Sequence, residues 1–181
     1  MKGIKFAYIL KLAGTLFLIT AIVALALAGV NSVTAPRIAA ITAEKTQKAV
    51  EEVLPGGGEL LPAGSYDDQG GMVTEVYASD KGYALKVLPM GFDNMITMMV
   101  GVDLEGKVTG IAIISHTETA GLGAVAADKG EDGQAFRSQF VGKSGELTVG
   151  TDIDAISSAT ITSKAVTDGV NTALKCVDGL K

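Results

Sequence analysis

Apolar residues follow distinct patterns along this chain, and each pattern predicts a different kind of element. From Leu12 to Pro36, 25 consecutive residues carry no charge and include the run LFLITAIVALALAGV. A helix of that length, at 1.5 Å per residue, reaches roughly 37 Å, more than the roughly 30 Å hydrocarbon core of a bilayer. Residues 37–54, RIAAITAEKTQKAVEEVL, are rich in strong helix formers. Ile38, Ile41, Val50, Val53 and Leu54 lie on a partial stripe, and Pro55-Gly56-Gly57-Gly58 ends it, so a juxtamembrane helix is predicted. A polar, Gly-rich section runs through Gly71. Short segments of β character follow at Val73 to Tyr77, Tyr83 to Leu88, Met95 to Val102 and Lys107 to Ile114. Asp103-Leu104-Glu105-Gly106 has the residues of a hairpin turn. The segments it joins, MITMMVGV and KVTGIAII, are apolar enough for the middle of a sheet covered on both faces. Gln134 to Phe140 reads as a short helix, and Leu147 to Ile156 as one or two short strands. A helix is predicted from about Ser163 to Val177, because Val166, Val170, Leu174 and Val177 recur at the spacing of one buried face.

The first apolar run has two readings. Lysines lead it and Ala26-Leu27-Ala28 resembles a small-residue cleavage site, as in a signal peptide. A retained anchor explains more: the run exceeds the roughly 7–15 residues of a signal core, and Val30, Val33 and Ala35 continue past the potential cut. Lys2, Lys5 and Lys11 precede the span and only Arg37 follows closely, which by the positive-inside rule puts the N-terminus in the cytoplasm and the rest outside.

Charge sharpens this division. The 181 residues hold 15 Lys+Arg and 20 Asp+Glu, a net of -5. Three lysines precede the span and the first acid is Glu44, so residues 37–181 contain 12 bases and all 20 acids, a net of -8. A nucleic-acid partner held by a basic face is thereby disfavoured. The one cysteine, Cys176, excludes an internal disulfide framework and any multi-cysteine zinc or iron–sulfur site within one chain. No nucleotide-binding glycine loop, HExxH, CxxC or GxSxG motif occurs. His116, the sole histidine, reads either as the end of a strand or as a residue lining a cofactor site.

The densest chemistry lies between Asp154 and Lys164, where Ser157, Ser158, Thr160, Thr162 and Ser163 put five hydroxyls into seven positions just before the last helix. Hydroxyls and free amides at a helix start, with Lys164 adding positive charge, suit a phosphate. The same residues are also consistent with a capped helix, Thr162 or Ser163 serving as N-cap. The residue pattern alone leaves both open.

Asp154-Ala155-Ile156-Ser157-Ser158-Ala159-Thr160 resembles the flavinylation motif D-x-x-[ST]-[GS]-A-T of the FMN-binding domain family. His116-Thr117-Glu118-Thr119-Ala120-Gly121-Leu122-Gly123 is similar to that family's second signature, H-x-E-T-P-G-L-G, with Ala120 in place of proline. The resemblance implies an α+β fold: a single N-terminal transmembrane helix, then an FMN-binding domain with a mainly antiparallel sheet and flanking helices. The implied layout is a cytoplasmic N-terminus and anchor over 1–36, a juxtamembrane helix and linker over 37–58, and an extracytoplasmic FMN-binding domain over 59–181. It further implies that Thr160 carries FMN through a phosphoester and that Ser157, Ser158, Ala159, Thr162, Ser163 and Lys164 cradle the phosphate. Glu118, Thr119, Gly121, Leu122 and Gly123 would lie along the ribityl chain or ring, and Asp154 would be read by a flavin transferase. No metal ligand or catalytic residue is expected. Ser158 stands where glycine is commoner, a position at which positive φ is favoured.

Anchor, motif order and length together are similar to the G subunits of Rnf complexes, membrane-bound ion-translocating ferredoxin:NAD oxidoreductases. Partners expected on that basis are the other membrane subunits, the lipid bilayer and, during maturation, the flavin transferase. Two other readings are a flavoprotein feeding a different reductase chain and a non-redox module holding some other phosphate. Flavin content separates the last from the rest.

Overall fold

The computed structural model describes residues 6–180. Lys2 and Lys5, which carry part of the orientation argument, lie outside the described residues. The chain divides into two units, residues 1–44 and 45–181. In the first, the described residues belong to one helix, α1 (Phe6–Val53), which continues into the second unit. The predicted anchor and the predicted helix over 37–54 are thus a single element. Pro36 sits inside it; the ring removes one N–H donor, yet the helix continues through it into the strong helix formers that follow.

Over residues 8–44 the helix is exposed almost throughout, as a segment solvated by lipid is. Phe17 and Leu25 are each 73% exposed, and the helix is long and apolar enough to cross a membrane. Its hydroxyls turn back onto its own carbonyls: Thr15 donates to Lys11 O at 2.8 Å, Thr20 to Leu16 O at 3.0 Å and Thr34 to Val30 O at 3.0 Å. Polar groups in hydrocarbon need such internal partners.

Residues 45–181 form the domain. Its sheet is a five-stranded antiparallel meander, β1 (Glu59–Leu60), β2 (Val73–Ser79), β3 (Gly82–Val87), β4 (Thr97–Asp103) and β5 (Val108–Ser115), each strand paired with its sequence neighbour. The β4–β5 turn forms where predicted, with Asp103 Oδ1 accepting from the amides of Glu105 and Lys107 and Gly106 at φ 86°. A loop containing a 3-10 turn over Gly123–Ala127 then leads to α2 (Glu131–Ser138), and a second loop leads to α3 (Thr160–Asp178).

Strand alternation sends side chains to two cores. Met98, Val100 and Val102 of β4, with Leu85, Val87 and Ile111, meet Val166, Val170, Ala173, Leu174 and Val177 of α3 and the edge-to-face pair Phe136 and Phe140. Met99, Ala84, Ala112 and Ile114 point the other way, onto Ala49, Val50, Val53 and Leu54 at the end of α1. Both faces are therefore covered, as the apolar runs predict. Thr109 of β5 ties the end of α1 to the sheet, donating to Val53 O at 2.6 Å.

Three local expectations change. Leu147 to Ile156 forms no strand: Asp152 accepts from the Thr148 amide at 2.9 Å and the Gly150 amide donates to Ile153 O at 2.8 Å, so the segment closes on itself, leaving only a Val149–Ile153 bridge. α2 begins three residues earlier than Gln134, because Glu131 and Asp132 favour a first helical turn. α3 begins at Thr160, not near Ser163.

At one side of the sheet, Lys86 Nζ lies 2.7 Å from Glu75 Oε1, directly across β2 and β3, and Tyr77 Oη donates to Glu75 Oε2 at 2.6 Å. Partial burial pushes the Glu75 carboxyl up, but the hydrogen bonds from Lys86 and Tyr77 outweigh it and hold the group below its ordinary value of 4.5. A lowered folded-state value means the stabilisation is fully present above 4.5 and is lost as pH falls through the folded-state value. Urea midpoints measured at successive pH steps below 5 should therefore decline more gently in Glu75→Gln than in the unmodified chain; parallel slopes would refute this assignment.

Candidate functional site

The site forms where the chain after β5 meets the start of α3. Beyond Ser115, the His116 ring accepts the Glu118 amide at 3.2 Å through Nδ1, which turns the Glu118 side chain inward. His116 thus shapes the loop, as a residue ending a strand would. Glu118 is 8% exposed, and both its oxygens are engaged. Oε1 accepts the Phe92 amide at 2.9 Å, and Oε2 pairs with the hydroxyl of Thr162 in the first turn of α3. Gly91 and Gly123 flank this carboxylate, and a methyl on either would overlap it; at Gly123 it would also overlap the Thr162 hydroxyl.

On the α3 side, Ala159 is the N-cap and offers no side-chain hydrogen bond. Neither Thr162 nor Ser163 caps the helix, contrary to the capping expectation. Ser163 instead accepts the Ile156 amide at 2.9 Å and donates to Ala159 O at 3.0 Å, fastening the preceding loop from beneath. By helix geometry the amides of Thr160, Ile161 and Thr162 have no intrahelical acceptor. Ser158 sits at φ 60°, the left-handed conformation that the commoner glycine would take up without strain.

These elements enclose a pocket of about 390 Å³ lined by Phe92, Glu118, Thr119, Leu122, Gly123 and residues 158–162. Small-molecule sites commonly span roughly 300–1,000 Å³. Of the residues singled out from sequence, Glu118, Thr119, Leu122, Gly123, Ser158, Ala159, Thr160 and Thr162 come together here. Gly121, Asp154 and Ser157 line the adjoining cleft of about 420 Å³ with Asp132, Phe136 and Gln139. Asp154 is held there through its backbone, its amide donating to Gln139 Oε1 at 2.7 Å. Ser163 is buried below the loop and Lys164 is exposed one residue further along α3. Cys176 is buried on the inner side of α3, where burial pushes its thiol up to about 11 and so keeps it protonated and inert.

A family model described as FMN-binding domain matches residues 91–175, from the glycine beside Glu118 nearly to the end of α3. The G subunit of the sodium-translocating ferredoxin:NAD(+) oxidoreductase complex of Acetobacterium woodii is 34% identical to the chain, covering 98% of it and 95% of the relative. The G subunit of the ion-translocating oxidoreductase complex of Methanosarcina acetivorans is 30% identical over 93% of this chain and 94% of its own. The chain belongs to the family of G subunits of ion-translocating oxidoreductase complexes. A third member, the G subunit of the proton-translocating ferredoxin:NAD(+) oxidoreductase complex of Clostridium ljungdahlii, is 41% identical over 56% of this chain and 58% of its own.

The pocket of this family member fits a flavin mononucleotide in its chemistry. Leu122, Ile161 and Phe92 supply apolar surface, at 41%, 53% and 65% exposure, for a fused ring. The hydroxyls of Ser158 and Thr160 and the first-turn amides of α3 supply the polar end that a phosphate requires. Among the described residues no cluster of His, Cys, Asp or Glu suits a metal ion. Gly91, Phe92 and Ile161 join the site without a motif to announce them; their only signals are the turn residues Gly91-Phe92-Asp93-Asn94 inside an apolar run and one isoleucine among hydroxyls.

The strain at Ser158 makes a signed prediction. A non-glycine residue in the left-handed region costs about 1–2 kcal/mol, whereas glycine adds about 0.5–1 kcal/mol of unfolded-state entropy. Ser158→Gly should leave the domain as stable or up to about 1.5 kcal/mol more stable in urea unfolding, and Ser158→Val should destabilise it. A clear loss of stability in the glycine variant would contradict the assigned backbone.

Proposed function

We propose that this chain is the electron-relay subunit of a membrane-bound ion-translocating ferredoxin:NAD oxidoreductase complex, with FMN joined to Thr160 through a phosphoester. The observation that carries the reading is Thr160 itself: an exposed hydroxyl on the first residue of α3, at the polar end of a pocket whose other end offers Phe92, Leu122 and Ile161. Bound FMN accepts and releases one or two electrons, and the protein's part is to orient it and tune its potential.

The residues divide that work. Thr160 provides the tether, and the first-turn amides with Ser158 and Lys164 offset the phosphate charge. Leu122 and Ile161 keep water from the ring. Thr162 and Ser163 act from below, one through Glu118 and the other through the loop. A threonine hydroxyl is a poor nucleophile unaided, so attachment calls for a flavin transferase that removes the proton and presents FAD, whose AMP half leaves as the Oγ–P bond forms. The position of Asp154 in the cleft beside the pocket, and not within it, supports its reading as a recognition residue for that enzyme. Asp154 would then be silent in electron transfer.

The N-terminal helix anchors the subunit, with the N-terminus in the cytoplasm and residues 45–181 outside, a reading supported by the lysines that lead the span and the acidic domain that follows. Covalency suits that side of the membrane, where a dissociating cofactor would be lost. The subunit has no complete activity alone: it relays electrons between other subunits.

Expression of the full chain with an active flavin transferase should give a band that fluoresces under ultraviolet light on a denaturing gel, and Thr160→Ala should give a dark band of equal protein. A dark wild-type band beside a fluorescent control substrate would sink the covalent reading. Fluorescence persisting in Thr160→Ala would move the attachment elsewhere.

A further inference from the structure

The hairpin tip before β4 places an aromatic ring where an ordinary surface loop would not. Met90 and Met95 bridge across it, the Gly91 amide donates to Asn94 O at 2.9 Å, and the Ile96 amide donates to Pro89 O at 2.9 Å. Phe92 occupies the tip and is 65% exposed, whereas Phe136 and Phe140 of the same domain are 3% and 0% exposed. Large apolar side chains gain by leaving water, so an exposed phenylalanine lining a pocket has surface to offer a ligand. The tip is not loose, either: the Phe92 amide is held by the buried Glu118 carboxylate, whose other oxygen holds Thr162 two residues from the tether position. The glycines at 91 and 123 leave the space that this bridge occupies.

We propose that Phe92 is the aromatic wall against which the tethered isoalloxazine packs, and that Glu118 is the positioning residue that holds this wall in fixed relation to the first turn of α3. The inference rests on the covalent-FMN reading. It assigns Glu118 a role through reach and hydrogen bonding, not through charge: a group of the same length can bridge the two partners without being ionised, and a shorter carboxylate cannot. Planar aromatic surfaces pack offset or edge-on at ring separations of about 4.5–7 Å, within which an indole in place of the phenyl ring would quench flavin emission by contact.

The chain has no tryptophan, so an introduced indole is the sole one. The flavinylated full chain in detergent is compared native and denatured, with loading read separately on a denaturing gel. Phe92→Trp should at least halve the native-to-denatured ratio of flavin fluorescence relative to wild type, and Leu104→Trp, an exposed position in the β4–β5 turn, should leave it unchanged. In the Phe92→Trp background, Glu118→Gln should keep the quenching and Glu118→Asp should relieve it. A loaded Phe92→Trp chain as bright as wild type overturns the aromatic wall, whereas a dark wild type overturns the flavin reading and the inference with it. Quenching relieved by Gln, or retained with Asp, overturns the positioning role of Glu118.

Discussion

A buried carboxylate must be paired, since leaving one ionised without partners in a low-dielectric interior costs far more than a single contact returns. Glu118 meets that requirement with two groups distant in sequence, the Phe92 amide and the Thr162 hydroxyl. The hairpin tip before β4 and the first turn of α3 are therefore held to one loop. Every wall of the pocket descends from that arrangement: Leu122 and Gly123 continue the loop, Phe92 crowns the tip, and residues 158–162 lead into the helix and form its first turn. Gly91 and Gly123 are its steric counterpart, for a side chain at either would displace the carboxylate.

The sheet supplies the platform. Because α3 covers one face and the end of α1 covers the other, alternation along β4 has to be apolar on both sides, and Met98 to Val102 contain no charged residue. With its inner face buried along its length, α3 is held against the sheet, so its N-terminus arrives at a fixed point against the loop that follows β5. A phosphate tethered there would inherit the rigidity of the core. At the site the strained residue is Ser158, in the loop that leads into the helix, where Ser163 fastens the backbone from below.

Much of this was legible beforehand. The uncharged run, the four β segments, the Asp103–Gly106 turn and the buried stripe of α3 all appear where hydrophobic period and turn chemistry place them. Helix limits were less legible: α3 starts at Thr160 because Ser163 is drawn into fastening the loop and so cannot cap, a choice visible only once Ile156 is folded back. The segment 147–156 reads as strand by composition, yet Asp152 and Gly150 close it into a turn before any neighbour can pair with it. Pro36 did not divide α1: its ring removes one donor and costs about 3 kcal/mol, yet the helix runs on through it.

What the sequence determined by itself is the chemistry on offer and its order: an apolar span long enough to cross a membrane, a sheet, two motifs and a threonine shortly before the last helix. Those features are local, written in residues a few positions apart, and local pattern is what period, propensity and motif can read. What only the tertiary structure decided is which of the motif residues share a pocket and which turn away. Glu118 and Thr162 stand 44 positions apart and Phe92 a further 26 before Glu118, and no periodicity links them. Their meeting depends on the packing of α3 across the sheet and on the need of a buried carboxylate for partners, and both conditions exist only in the folded chain.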